Sequence, residues 1–213
     1  MTATPLVIGH RGFPVRWPDN SLEGVKAALE AGADGVEVDV RPCADGVWVC
    51  HHDRSRAGRP VGEWGWAELH RDGVPSLAEA AAAVPAERWL YVEVKPLPAW
   101  RLLAGLGELR RVLEPRAAAT RLLSSSLALL APLGEALPAL ARSWVVGEMP
   151  PGPPPARVTL SPRHTLVERV SAWGVELHPW TVNRPVRMRE LARFGVASIT
   201  TNRPDLAVEA RCD

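Results

Sequence analysis

The sequence predicts an α/β fold of parallel βα units built around eight strands. Short apolar, β-like runs alternate with helical segments along the chain, which is the pattern of such units. The runs number eight, and 213 residues suffice for one α/β barrel with a sizeable core. A single domain over residues 1–213 is the resulting expectation.

The strands are expected at 6–9, 35–40, 90–94, 121–124, 143–146, 158–160, 175–178 and 197–200. The first helix starts at Asn20-Ser21-Leu22-Glu23, where Asn20 can cap free amides and Glu23 can reach back, and stops at Gly32, which suits a left-handed C-terminal position. A second runs from Ser76-Leu77-Ala78-Glu79 to Pro85, and further helices are expected at 98–113, 127–137, 165–173 and 185–194. The proline-rich run from Gly147 to Pro155 cannot form a regular helix, because proline removes donors and clashes with the preceding turn. An outer helix is therefore expected to be missing around 147–156. A domain linker is the rival reading of this run, but the βα units that follow are too short to bury a core alone.

The formal net charge of +1 gives no basic surplus, which argues against a broad nucleic-acid or membrane surface and leaves room for a local basic pocket. The start, Met1-Thr2-Ala3-Thr4-Pro5, has neither a cationic nor an apolar leader region, and no stretch approaches the roughly 18 apolar residues of a membrane span. A cytoplasmic protein is expected. Cys43, Cys50 and Cys212 form no CxxC pair and are odd in number, so they read as reduced thiols.

The chemistry-bearing residues sit at the ends of apolar runs. Side chains alternate along a strand, so Glu37 and Asp39 share one face while Val36, Val38 and Val40 take the other. Glu93 and Lys95 share a face in the same way, opposite Val92 and Val94. Three acids converging from strand ends suggest a hard divalent cation. A lone carboxylate pair is more often a solvated edge or an ion pair. Here His10, Arg11, His52 and Lys95 join the acids, and that conjunction favours a site. Alternation groups His51 with Val47 and Val49, and His52 with Trp48 and Cys50, without saying which face looks inward.

The same residues carry a family resemblance. His10-Arg11-Gly12, Pro18-Asp19-Asn20-Ser21, Glu37-Val38-Asp39-Val40, the run from Asp45-Gly46 to His52-Asp53, Pro75-Ser76-Leu77-Ala78-Glu79 and Glu93-Val94-Lys95 resemble, in order and spacing, the motifs of the glycerophosphodiester phosphodiesterases. Near the C-terminus Trp180-Thr181-Val182-Asn183 and Ile199-Thr200-Thr201-Asn202-Arg203-Pro204-Asp205 do likewise. The resemblance implies a TIM-type (β/α)8 barrel with the site at the C-terminal strand ends. It implies a divalent metal, Mg²⁺ or Ca²⁺, on Glu37, Asp39 and Glu93, and selects His52 over His51 as partner of His10 in acid-base catalysis. Arg11 and Lys95 would meet the charge that grows on a phosphodiester during reaction. Either an adjacent glycerol hydroxyl or water would attack.

Ser125 reads as a substrate contact or as a helix cap, and Trp180 as a wall for the leaving alcohol or as structural. Asp53 reads as an orienting carboxylate, and His70, His164 and His178 are weaker site candidates. The sequence departs from the family pattern at Asp19, at Asn202 and at Ser125-Ser126-Leu127. The segment 54–72, with Trp64 and Trp66, is short for a covering lobe, which suggests an open pocket. The expected partner is a small glycerophosphodiester yielding an alcohol and glycerol 3-phosphate, with no nucleic acid and no stable membrane insertion; the oligomeric state is left open. The rival readings are a phospholipase D-like enzyme acting on lysophospholipids or sphingomyelin, and a silent barrel that binds a polyol phosphate.

Overall fold

The computed structural model describes residues 4–212. The start at Met1-Thr2-Ala3 and the side chain of Cys212 lie outside the described residues. In chain order the elements are β1 (Leu6–His10), α1 (Leu22–Glu30), β2 (Gly35–Pro42), β3 (Trp48–Cys50), β4 (Ser55–Arg56), β5 (Arg59–Pro60), α2 (Trp66–Arg71), α3 (Leu77–Ala83), β6 (Trp89–Val94) and α4 (Ala99–Leu113). They continue with β7 (Thr120–Ser124), α5 (Leu127–Ala136), β8 (Ala141–Val146), β9 (Thr159–Pro162), α6 (Val167–Val170), α7 (Pro185–Arg193), β10 (Ser198–Thr201) and α8 (Pro204–Cys212).

Seven strands run parallel in the order β10-β1-β2-β6-β7-β8-β9. The expected seventh strand is an irregular stave rather than a regular one. Leu177 and Trp180 make isolated bridges to Leu160 and Arg163. Pro179 lacks the amide a regular ladder needs. This stave still closes the ring: His178 and Trp180 donate backbone bonds to Leu160 and Pro162, while Leu177 and Pro179 accept from Ala197 and Thr200. The result is the expected TIM-like α/β barrel.

Alternation sorts the side chains as the sequence implies. Val36, Val38 and Val40 of β2, with Leu90, Val92 and Val94 of β6, join the apolar layer between ring and helices. A smaller set inside the ring comprises Ile8, Tyr91, Leu123 and Val145. Burying such aliphatic side chains contributes roughly 1.5–3 kcal/mol each.

No helix lies between β8 and β9, in keeping with the proline run. The helix expected over 165–173 shrinks to the single turn α6 between two 3-10 turns. α8 was not anticipated, although Pro204 occupies its first position, where a missing amide costs nothing. The segment after β2 forms the antiparallel β2–β3 hairpin and a small satellite core of Cys43, Val49, Val61, Leu69 and Val74. Trp48 pins this hairpin to α4 by an indole bond of 2.9 Å to the Gly105 carbonyl. A Cβ on Gly105 would stand 2.5 Å from that ring, so the helix approaches only as glycine.

Candidate active site

β2 and β6 are in register, Asp39 opposite Glu93, and this sets the acids side by side. Glu37, Asp39 and Glu93 offer oxygens that all lie within 4.8 Å of one another, a group able to hold a metal ion. Asp39 is fully buried, and Glu37 is 3 % exposed. Burial, then the like charges of Asp39 and Glu93, pushes the Glu37 carboxyl well above its usual range. Burial would raise Asp39 too, but Lys95 and Arg11 outweigh it and hold that group low. The Lys95 ammonium sits 2.7 Å from Asp39 Oδ1 and 2.8 Å from Glu93 Oε1. Arg11 Nε lies 3.1 Å from Asp39 Oδ2, its Nη1 2.6 Å from Asp19 Oδ2, and its backbone amide donates to Glu37 Oε2 at 3.0 Å. Even so, Glu37 Oε1, which is buried, has no hydrogen-bond donor.

The local backbone makes this possible. Arg11 has φ 54° and Gly12 φ 85°, and a Cβ on Gly12 would stand 2.5 Å from the backbone of Gly24 in α1. Asn20, with φ 62°, turns away from its expected capping role. Ser21 caps α1 instead, its hydroxyl accepting from the Gly24 amide. Asn20 exchanges two bonds with Asp39, from its Nδ2 to Oδ2 at 3.1 Å and from the Asp39 amide to its Oδ1 at 2.9 Å. Asparagine's tolerance of left-handed backbone is the signal that could have singled it out.

The two histidines are held differently. His10 Nδ1 lies 2.6 Å from Asn202 Oδ1, an amide oxygen, so Nδ1 carries the proton and Nε2 keeps its lone pair. Burial, and then the charge of Arg11, lower the His10 pKa to about 4 against the pull of that bond. Asn202 is itself fixed by its amide donating to Asn183 Oδ1 at 2.9 Å. His52 is partly exposed at the rim, with Nδ1 2.8 Å from the Asp53 carboxylate. His51 turns instead toward the Ser55 carbonyl.

One cavity of about 210 Å³ gathers His10, Arg11, Glu37, His52, Glu93, Lys95, Ser125 and Trp180 along its walls. Asp39 lies behind this lining, in contact with Lys95 and Arg11. Ser125 does not cap α5, whose N-cap is Ser126. The Trp180 indole donates to the Ser161 carbonyl at 2.8 Å. Of the weaker candidates, His178 also faces the cavity, while His70 pairs with Glu79 and His164 lies outside the lining.

The glycerophosphoryl diester phosphodiesterase family model matches residues 10–103 and 111–206. A probable glycerophosphodiester phosphodiesterase 2 of Mycobacterium tuberculosis is 28 % identical over 94 % of this chain and 88 % of its own length. A glycerophosphodiester phosphodiesterase of Caldanaerobacter subterraneus is 26 % identical over 95 % of this chain and 96 % of its own. The match to a probable glycerophosphodiester phosphodiesterase 1 of M. tuberculosis, 50 % identical, spans only 24 % of this chain and 18 % of that protein. Among solved structures, a putative glycerophosphoryl diester phosphodiesterase of Silicibacter pomeroyi superposes with a TM-score of 0.82 at 25 % identity, covering 100 % of this chain and 95 % of that one. A phosphodiesterase of Oleispira antarctica, solved with the product sn-glycerol-3-phosphate, gives 0.83 at 21 % identity over 99 % and 98 % and shares the fold. A family model that runs from His10 nearly to the last helix leaves one conclusion: the chain belongs to the glycerophosphoryl diester phosphodiesterase family.

Proposed function

We propose that this chain, acting as one barrel domain in the cytoplasm, hydrolyses glycerophosphodiesters to an alcohol and glycerol 3-phosphate with a divalent cation, Mg²⁺ or Ca²⁺. The observation that carries this reading is the convergence of three carboxylates, two cations and two differently partnered histidines on one cavity. The residues fit a hard cation: Glu37 Oε1 is a buried acceptor without a donor, and Asp39 and Glu93 offer further oxygens beside it. When bound, the cation would act as a Lewis acid on the phosphoryl oxygens.

The remaining work falls to the chain. Arg11 and Lys95, fixed by their carboxylate partners, keep the cavity from being wholly anionic and so admit a phosphodiester. His10 Nε2 takes the proton of the nucleophile, either water or the glycerol 2-hydroxyl, whose cyclic phosphate water then opens, and the Asn202 bond at Nδ1 keeps that lone pair available. His52, oriented by its contact with Asp53, gives a proton to the leaving alkoxide at the rim, where the alcohol can depart. Ser125 and Trp180 wall the cavity and contact the substrate there. The product seen in the Oleispira antarctica enzyme supports glycerol 3-phosphate as the product here.

The test is release of glycerol 3-phosphate from a panel of glycerophosphodiesters by purified protein, with Mg²⁺, with Ca²⁺ and with a chelator. The expected outcome is chelator-sensitive release, with a His10→Ala variant at least 100-fold slower. Parent-like turnover by His10→Ala would overturn the acid-base assignment.

A further inference from the structure

A second cavity, of about 660 Å³, is lined by residues that follow the catalytic ones in the chain. Three arginines line it, Arg41, Arg54 and Arg101, against a single carboxylate, Glu63 at the exposed rim. Its position is set by the catalytic residues themselves. Arg41 follows Asp39 by two residues on β2, and Arg54 follows His52 by two; Pro96, on the opposite wall, directly follows Lys95. Arg41 Nε donates to the His52 carbonyl at 3.0 Å, so groove and histidine are tied together. Arg101 donates to the Gly62 carbonyl and lies over the Trp100 ring. Among the described residues none of the three arginines is ion-paired. Asp53, the nearest acid to Arg41 outside the groove besides the metal group, is engaged by His52. Such a concentration of unpaired guanidinium on one concave wall attracts and orients anions.

We propose that this groove receives the leaving alcohol of the diester and selects alcohols that carry an anionic group, a phosphate monoester or a carboxylate. The proposal rests on the hydrolytic reading above and adds the headgroup class. His52, placed to protonate the departing oxygen, is bonded through its carbonyl to Arg41 and stands two residues before Arg54, so the alcohol extends toward these two arginines. The anionic group lies there between guanidinium forks rather than in solvent.

The experiment compares kcat/KM for glycerophosphoglycerol, glycerophosphocholine, and glycerophosphoglycerol carrying a terminal phosphate. Each is measured with the parent and with Arg54→Glu, a change at an exposed side chain without a structural bond. The parent should favour the phosphate-bearing diester at least tenfold over glycerophosphocholine, and Arg54→Glu should cut that ratio about tenfold. Raising ionic strength should erode the ratio in the parent. A parent that prefers neutral or cationic headgroups, or a ratio untouched by Arg54→Glu, overturns the proposal and leaves hydrolysis standing. If no diester is cleaved, the hydrolytic reading fails. Calorimetric titration with glycerol 2-phosphate then decides the groove: tenfold weaker binding to Arg54→Glu supports it, and equal binding overturns it.

Discussion

The barrel holds two charged clusters, and they are finished differently. In the lower one, Arg121 donates to Thr159 Oγ1 at 2.8 Å and to Glu176 Oε1 at 2.9 Å. His178 contacts the same Glu176 oxygen at 2.8 Å through Nε2, and Ser198 Oγ at 2.8 Å through Nδ1. Tyr91 completes the set beside His178, and the Arg121 guanidinium lies over the Trp89 and Tyr91 rings. Glu176 Oε1 and Thr159 Oγ1 accept from the cluster's own donors, the rest of the half-exposed Glu176 carboxylate faces solvent, and one donor, Arg121 Nε, lacks a partner. In the upper cluster one carboxylate oxygen, Glu37 Oε1, is left over after Arg11, Lys95 and Asn20 have bonded. A buried acceptor without a donor costs about 1–3 kcal/mol, more when charged, and a fold retains it where something else is to be bound. The lower cluster therefore reads as structure and the upper as a site.

The sharpest way to break this contrast is Glu37→Gln. The change is nearly isosteric and removes one charge from a crowded anionic group. Activity should fall on the order of 10³-fold, while the melting temperature measured in chelator should hold or rise because a like charge is gone. A fall of several degrees would mean that the upper cluster supports the fold as the lower one does. The next effect is thermal. At about 1,000 times its Kd, Mg²⁺ or Ca²⁺ should stabilise the parent by about 4 kcal/mol, which for a chain of this size is roughly 8–16 °C by scanning calorimetry. Chelator should abolish the shift and Glu37→Gln should largely lose it. An equal shift in parent and variant would place the cation elsewhere.

The upper cluster was legible because each of its parts is local in sequence. The i, i+2 spacing on β2 and β6 sorts Glu37, Asp39, Glu93 and Lys95 from the valines, and strand register does the rest. The choice between His51 and His52 was not legible from alternation, since it depends on which face of the β2–β3 hairpin meets α4. Asn20 was misread for a related reason. A polar residue before a helix suggests a cap, and only a chain fold placing it beside Asp39, 19 positions on, reveals the other use of its amide. The lower cluster was not legible as a unit: Glu176 and His178 share a face at i, i+2, but their partner Arg121 comes from β7, 55 residues away, and His178 read only as a weaker site candidate. Irregularity hid the seventh stave in the same way: with Pro179 in its middle it pairs through scattered bonds, although it closes the ring.

The smallest expected effect separates the clusters by pH. Burial is the main cause that lowers the His178 pKa to about 4 from 6.5, in spite of its bond to Glu176. The unfolded chain thus takes up this proton before the folded one does. Between pH 6.5 and about 4 the unfolded state binds more protons, so stability falls as pH falls through that window and is complete above it. Glu176, held down to about 2 mainly by the His178 bond, extends the loss below its ordinary range, since its carboxylate must also be protonated. For the nearly fully buried His178 the shift corresponds to about 3 kcal/mol between the two ends of the window. Urea denaturation of the parent and of His178→Gln across pH 4 to 7 isolates this effect, because the upper cluster titrates alike in both proteins. The two curves should converge toward acid pH, the variant being the flatter. Parallel curves would show that the lower cluster accommodates a charged His178, and the reading of it as structure built on a neutral His178 would fail.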